Sequence, residues 1–346
     1  MLEIRNISKN YGDFALKDIN LNISKGEYFI LLGRSGAGKS LLLEIIAGLR
    51  SPDNGNINLN GKNITHEKIQ KRKVGMVFQD FAIFPHMTVY DNIAYPLKIN
   101  RLPKSEIYLM VKRMAENISI DHLLARKTND LSGGERQRVA LARTLVTSPE
   151  IIMLDEPMAS IDAPLRDDIR HLLRKINDMG MTMLHVTHDY GEAVRLSHRV
   201  GVIHNGRILQ TGETDSVFSK PVNEFVARFA GIRNFYRVRV YRGKNKNIAE
   251  SENRKYLLPP GDYPENGLLL IKSDSISLSS GEQKGVDNCI RGKIRELNRA
   301  ERGYEVIVDS GDLYHVLLSS KKLQELSLKK GQFVFLSFAS SELRVI

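Results

Sequence analysis

Tyr28-Phe29-Ile30-Leu31-Leu32-Gly33-Arg34-Ser35-Gly36-Ala37-Gly38-Lys39-Ser40-Leu41 is the stretch on which the reading of this chain turns. Its first five residues are continuously apolar, as in a strand covered on both faces. The next eight fit G-x-x-x-x-G-K-[ST], and Leu41–Leu49 continues as a helical stretch, the context that pattern requires. The glycines let the backbone curl so that successive N–H groups, from Gly33 through Arg34, Ser35, Gly36, Ala37 and Gly38 to Leu41, converge on one anion. The helix N-terminus adds its dipole. Lys39 is then placed for the β- and γ-phosphates of a nucleotide and the Ser40 hydroxyl for Mg²⁺. The competing reading, an ordinary glycine-rich turn, is disfavoured by the strand before it and the helix after it.

Outward from this loop, strand-like and helix-like patterns alternate. Leu2–Ser8 and Leu16–Ser24 alternate apolar and polar residues, as half-buried strands do. A helical texture runs from about Pro85 to Ala125, with apolar positions at Ile107, Leu109–Val111 and Met114. Strand Ile151–Leu154, a helix near Pro164–Met179 and strand Met181–Thr187 follow. Asn205-Gly206 then suits the type I′ turn of a hairpin. This alternation predicts a parallel α/β sheet. After Gly231 the texture changes to short strand candidates at Phe235–Tyr241, Gly267–Lys272, Cys289–Leu297, Tyr304–Val308, Tyr314–Leu318 and Gln332–Phe338. Only Lys321–Leu326 looks helical, and Gly243–Arg254 reads as a polar loop or linker. Such spacing predicts a small β-barrel.

Two further stretches carry chemistry. Ile151-Ile152-Met153-Leu154-Asp155-Glu156 is a buried strand ending in two carboxylates. It sets Asp155 beside the Mg²⁺ and Glu156 where it can orient and deprotonate the water attacking the γ-phosphate. Leu131-Ser132-Gly133-Gly134-Glu135 opens a helix. Ser132 suits its N-cap, and the two glycines leave N–H groups bare as a second anion site. Ser132 with Glu135 also fits a plain capping box, S-x-x-E.

The 346 residues are 42% hydrophobic and 26% charged, with 26 glycines and one cysteine, an ordinary globular composition. That excludes a disordered, collagen-like or disulfide-built chain. The lone Cys289 reads as an idle or buried thiol. The N-terminus lacks a signal-peptide core, and no run of 18 apolar residues could span a membrane, so a membrane role would come through a partner. The net charge of +11 splits into +5 over residues 1–232 and +6 over 233–346, with no block of like charge. So spread a surplus argues against a nucleic-acid surface and suits a basic surface near lipid headgroups or an anionic ligand.

Taken together and in this order, the motifs resemble the ATP-binding-cassette (ABC) ATPases over roughly residues 1–230. The match includes Gly33–Ser40, Gln79 after strand Val74–Phe78, Leu131–Glu135, Ile151–Glu156, the stretch Ala159-Ser160-Ile161-Asp162, and His188. The resemblance implies a P-loop α/β cassette over 1–231, with a helical subdomain at about 85–150, and an all-β, OB-like regulatory barrel over 232–346. It implies that Tyr11 stacks on adenine, that Gln79 reaches the Mg²⁺ and the attacking water, and that His188 contacts the γ-phosphate. Two copies would pack head to tail, so that Ser132 and Gly134 of one, with Asp162 nearby, complete the other's ATP site.

The missing coiled coils, second cassette and membrane helices set the chain apart from chromosome-maintenance, translation-type and exporter members. Phe84–Ile93 resembles the segment after the Gln loop of importer ATPases, and Phe81–Leu97 would receive a permease helix. Asn288–Ile294, Glu325–Gln332 and Phe338–Ser341 resemble the molybdate-binding barrel that ends molybdate and tungstate importer ATPases, here about 285–346. Cations that the family often carries are replaced by Ala339 and Asp287, which leaves Ser340 and Ser341 as candidate donors to a regulatory oxyanion. The implied protein is an ATPase homodimer on the cytoplasmic face of the membrane, beneath permease subunits and, through them, an extracytoplasmic binding protein. The alternatives are import of sulfate, ferric iron, polyamine or sugar, or a soluble ATPase that remodels nucleic acid or ribosomes.

Overall fold

The computed structural model describes residues 1–243, 246–283, 285–300 and 303–346. It divides into two compact units, Met1–Val217 and Phe218–Ile346.

The first unit carries two sheets. Strands β1 (Leu2–Tyr11), β2 (Phe14–Ile23), β4 (Asn54–Leu59) and β5 (Lys62–Asn63) form an antiparallel sheet in the order β2-β1-β4-β5. The second sheet runs β10-β9-β3-β8-β7-β6. It comprises β3 (Tyr28–Leu32), β6 (Val74–Val77), β7 (Ile151–Asp155), β8 (Thr182–Thr187), β9 (Arg199–His204) and β10 (Arg207–Glu213). All neighbours in it are parallel except β9 with β10, which Asn205 and Gly206 join at positive φ, as the dipeptide predicted. Parallel neighbours need crossovers, and helices α1 (Lys39–Ala47), α2 (Val89–Ile99), α3 (Lys104–Asn117), α4 (Gly133–Leu145), α5 (Ala163–Asp178) and α6 (Tyr190–Leu196) lie in them. Every residue of β3, β7 and β8 is buried, which is why β3 and the first four residues of β7 read as apolar runs rather than alternations.

Register then positions the chemistry. Leu32 pairs with Thr187, Val186 with Asp155, and Leu154 with Val77. The residues that follow β3, β8, β7 and β6 therefore leave one edge of the sheet together. These are the glycine loop, His188, Glu156 and Gln79. That edge is the carboxyl edge, where open α/β sheets bind ligands.

Helix α7 (Thr214–Ser219) and helix α8 (Glu224–Phe229) lead into the second unit. Its first sheet, β13-β12-β11-β14-β20, consists of β11 (Asn234–Tyr241), β12 (Asn247–Glu250), β13 (Lys255–Leu258), β14 (Asn266–Ile271) and β20 (Arg344–Val345). The other, β15-β19-β16-β17-β18, consists of β15 (Ser277–Ser279), β16 (Asn288–Ala300), β17 (Gly303–Asp309), β18 (Leu313–Leu318) and β19 (Phe333–Phe338). One apolar cluster, including Tyr236, Tyr256, Ile290, Val306, Tyr314 and Leu336, draws on both sheets. Helix α9 (Ser320–Leu326) matches the one helix expected there. The stretch read as a linker, 243–254, instead contains β12.

Candidate nucleotide site

The glycine loop is held where a side chain would not fit. A Cβ on Gly33 would come within 2.7 Å of the Ile203 carbonyl oxygen, and the Gly33 N–H donates to the Thr187 carbonyl at 3.2 Å. Gly38, at φ +100°, is the N-cap of α1, and no side chain caps that helix. The first amides of α1 thus face the loop with the positive end of the helix dipole.

Lys39 is buried. Its Nζ donates to the carbonyls of Gly33 (2.7 Å) and Arg34 (3.3 Å) and lies 3.4 Å from Glu156 Oε1. The other Glu156 oxygen meets His188 Nδ1 at 2.9 Å and accepts from Thr187 Oγ1 at 3.4 Å. Glu156 sits at φ +47°, a left-handed conformation that costs energy for a non-glycine residue, and its amide donates to the Val186 carbonyl at 3.0 Å. Its carboxylate therefore lies between the Lys39 ammonium and the His188 ring. Next to it, Ser40 Oγ donates to Asp155 Oδ1 at 3.0 Å, and burial raises the Asp155 carboxyl above its ordinary value.

One cavity of about 480 Å³ gathers Tyr11, Ser35, Gly36, Gly38, Lys39, Ser40, Leu41, Gln79 and Glu156. It also contains three residues that the sequence reading left out: Phe14, Glu44 and Arg50. Phe14 could have been found by its place across the turn from Tyr11. Nothing local marks Glu44 or Arg50. Ser132, Gly134 and Asp162 do not line this cavity. Ser132 Oγ accepts from the Glu135 amide (3.3 Å) and the Glu135 carboxylate accepts from the Ser132 amide (2.7 Å), so the capping box is formed. Asp162 is the exposed N-cap of α5 and makes no side-chain cap.

His185 lies buried in β8 with Nδ1 3.1 Å from the Tyr28 hydroxyl and Nε2 3.3 Å from Glu192. Ser340, expected as an oxyanion donor, gives its N–H (3.1 Å) and hydroxyl (2.7 Å) to Asp287 instead. Among the described residues no helix is long and apolar enough to cross a membrane.

Comparison with known proteins agrees with this geometry. Residues 16–159 match the family described as ABC transporter. The molybdate/tungstate import ATP-binding protein WtpC of Pyrococcus horikoshii is 38% identical over 100% of this chain and 99% of its own length. That of Pyrococcus abyssi is 40% identical over the whole of both. A bacterial ABC transporter cassette, MJ0796, solved as a dimer, is 30% identical with a TM-score of 0.56, over 62% of this chain and 99% of its own. A glycine loop closed by a buried lysine, paired carboxylates at the end of β7 two strands away, and full-length kinship converge: the chain belongs to the ABC transporter family of ATP-binding proteins.

Proposed function

We propose that this chain is the ATP-hydrolysing subunit of an importer for molybdate or tungstate. The observation that carries the ATPase reading is the meeting of Lys39, Ser40, Asp155, Glu156 and His188 at the ends of three adjacent parallel strands. The cargo rests on the full-length kinship to the two Pyrococcus import proteins.

In this reading Lys39 leaves Glu156 for the β- and γ-phosphates, and Glu156 turns to the attacking water as its base. His188 holds the γ-phosphate, Gln79 orients the water, and Tyr11 carries the adenine. The amides from Gly33 to Leu41 wrap the phosphates. Ser40 and Asp155, with Gln79 near, fit a Mg²⁺ ion: they are hard oxygen and amide donors, and Asp155 is a carboxylate whose burial raises its pKa, so that a bound cation would favour its charged form. The ion would neutralise charge on the β- and γ-oxygens. Phosphoryl transfer needs chiefly such positioning and charge stabilisation. Ser132, Gly134 and Asp162 would reach the nucleotide of a second copy. The dimer would sit on the cytoplasmic face under a permease, served from outside by a substrate-binding protein. A regulatory oxyanion in the C-terminal unit has weaker support, because Asp287 already takes both donors of Ser340 and Lys246 lies 3.6 Å from its other oxygen.

Glu156→Gln tests the engine. It is expected to bind ATP as the parent does and to lose turnover by on the order of 10²-fold or more, the loss typical of a missing general base. Near-parental hydrolysis would remove Glu156 from that role. In cells deprived of their own importer, the chain expressed with its permease should restore tungstate accumulation. Failure to do so would overturn the cargo assignment.

A further inference from the structure

The nucleotide cavity ends in three side chains whose chemistry goes beyond stacking. Tyr11 stands half-exposed with the Arg50 guanidinium over its ring, 4.7 Å from the centroid. Arg50 is in turn ion-paired with Glu44 on the outer turns of α1. This is a built platform rather than a chance surface contact. The segment after α1 is tied to the end of β1 by Asp53, whose N–H donates to the Ser8 carbonyl (2.9 Å). The Asp53 carboxylate accepts from the Asn10 amide (2.8 Å) and from Lys9 Nζ (2.6 Å). These ties hold the segment after α1, and Arg50 with it, beside the end of β1 that carries Tyr11. Both Glu44 and Arg50 line the same cavity as Lys39 and Ser40.

We propose that the Arg50–Glu44 pair reads the edge of the purine and selects adenine over guanine. This rests on the reading that a nucleotide lies on the phosphate loop with its base on Tyr11. An aromatic base taking the guanidinium's place on that ring exchanges a cation–π contact for a stacked one. The displaced pair stays at the rim and presents one donor group beside one acceptor group. Adenine offers the complement, an acceptor at N7 next to a donor at N6. Guanine offers two acceptors, N7 and O6, so its O6 meets the Glu44 carboxylate with no proton between them. The discrimination lies in Glu44; Arg50 serves both purines and holds Glu44 in place.

Equilibrium competition for the fluorescently labelled nucleotide site tests this, with ATP, GTP and inorganic tripolyphosphate as the competing probes. The parent protein is expected to prefer ATP over GTP by at least about fivefold, the lower end of what one well-placed base contact discriminates. Glu44→Gln can donate to O6 and is expected to erase or reverse that preference; Glu44→Ala is expected to bring it close to unity. Both should bind tripolyphosphate as the parent does, which shows the phosphate loop intact. Tyr11→Ala should weaken ATP but not tripolyphosphate. If Tyr11→Ala weakens ATP selectively and neither Glu44 variant moves the ATP/GTP ratio, the proposal is overturned while the base still lies on Tyr11. If Tyr11→Ala leaves ATP unchanged, the base lies elsewhere and both readings fall. A parent protein that binds the two purines equally also overturns the proposal.

Discussion

Asp155 is 7% exposed and accepts a hydrogen bond from the Ser40 hydroxyl. Desolvation is the largest influence on it and lifts its pKa above the ordinary aspartate value. A carboxyl with a raised folded-state pKa binds more protons in the folded than in the unfolded chain across the interval between the two values. Stability must then fall as pH rises through that interval, and the penalty is complete above it. Asp155→Asn removes the penalty. Thermal melts of the nucleotide-free variant should be as high as the parent's at neutral pH and flatter from the ordinary aspartate value upward. The extra stabilisation that Mg²⁺ adds to ATP should disappear. A variant that melts well below the parent and keeps its Mg²⁺ response would contradict this account. At this scale the sequence was readable where backbone geometry dictates residue type, as at Gly33 and Gly38, and where a fixed motif spacing places Lys39 after them. Arg50 and Glu44 were not readable, because their meeting with Tyr11 depends on the Asp53 ties between segments some 40 residues apart in sequence.

Elements were legible where burial was uniform or strictly alternating, and obscure where a polar side chain faces inward. Strand β12 places Asn247 and Ala249 inside and Ile248 outside, the reverse of what hydropathy suggests. Asn247 is satisfied by a bond from its Nδ2 to the Gly261 carbonyl at 2.9 Å, a partner that no local pattern reveals. In α3 the buried face is Ile107, Val111 and Ala115, while Leu109 is 65% exposed, so an apolar run of three concealed which residue turns inward. Helix α4 shows what such placement achieves. From its last turn, Arg143 donates to the carbonyls of Ala82 (2.7 Å) and Phe81 (3.1 Å), two non-glycine residues at φ +45° and +65° in the loop after Gln79. The same guanidinium lies 5.3 Å over the Phe84 ring. The helix that begins with Ser132 thus holds in place the strained segment leading from Gln79 to α2. Arg143→Ala should release it. Hydrogen exchange of residues 79–84 is expected to rise while that of β7 and β8 stays as before, and ATP affinity should change little. Arg143→Lys should recover little protection, since an ammonium cannot grip two carbonyls with the guanidinium's planar fork. Unchanged exchange in the alanine variant would show that the loop holds itself.

For the molecule as a whole, the geometry within one chain is incomplete in a specific way. In the proposed reading Lys39 and Glu156, with His188 bonded to Glu156, take the terminal phosphate from one side, and Ser132 and Gly134 lie outside the cavity that Lys39 and Glu156 line. Ser132 Oγ spends a lone pair on the Glu135 amide, which leaves its own proton to donate, and the amides of Gly133 and Gly134 open a helix whose dipole favours an anion. In that reading a second copy supplies the far donor set. The phosphate the two sets share then becomes the glue, and only a nucleotide that retains it can shift the equilibrium toward the pair. Glu156→Gln, which should bind ATP without consuming it, isolates that state. In size-exclusion chromatography with light scattering it is expected to run as a dimer with Mg²⁺-ATP and as a monomer with ADP. Adding Gly134→Asp, whose Cβ meets nothing nearer than Leu165 at 3.7 Å, puts a negative charge where the partner's phosphate must arrive. It should abolish the dimer while each chain still binds ATP. A Glu156→Gln protein that stays monomeric with saturating ATP, alone and beneath its permease, would show that the far donor set belongs to some other molecule, and Ser132 and Gly134 would revert to the helix cap they form within their own chain.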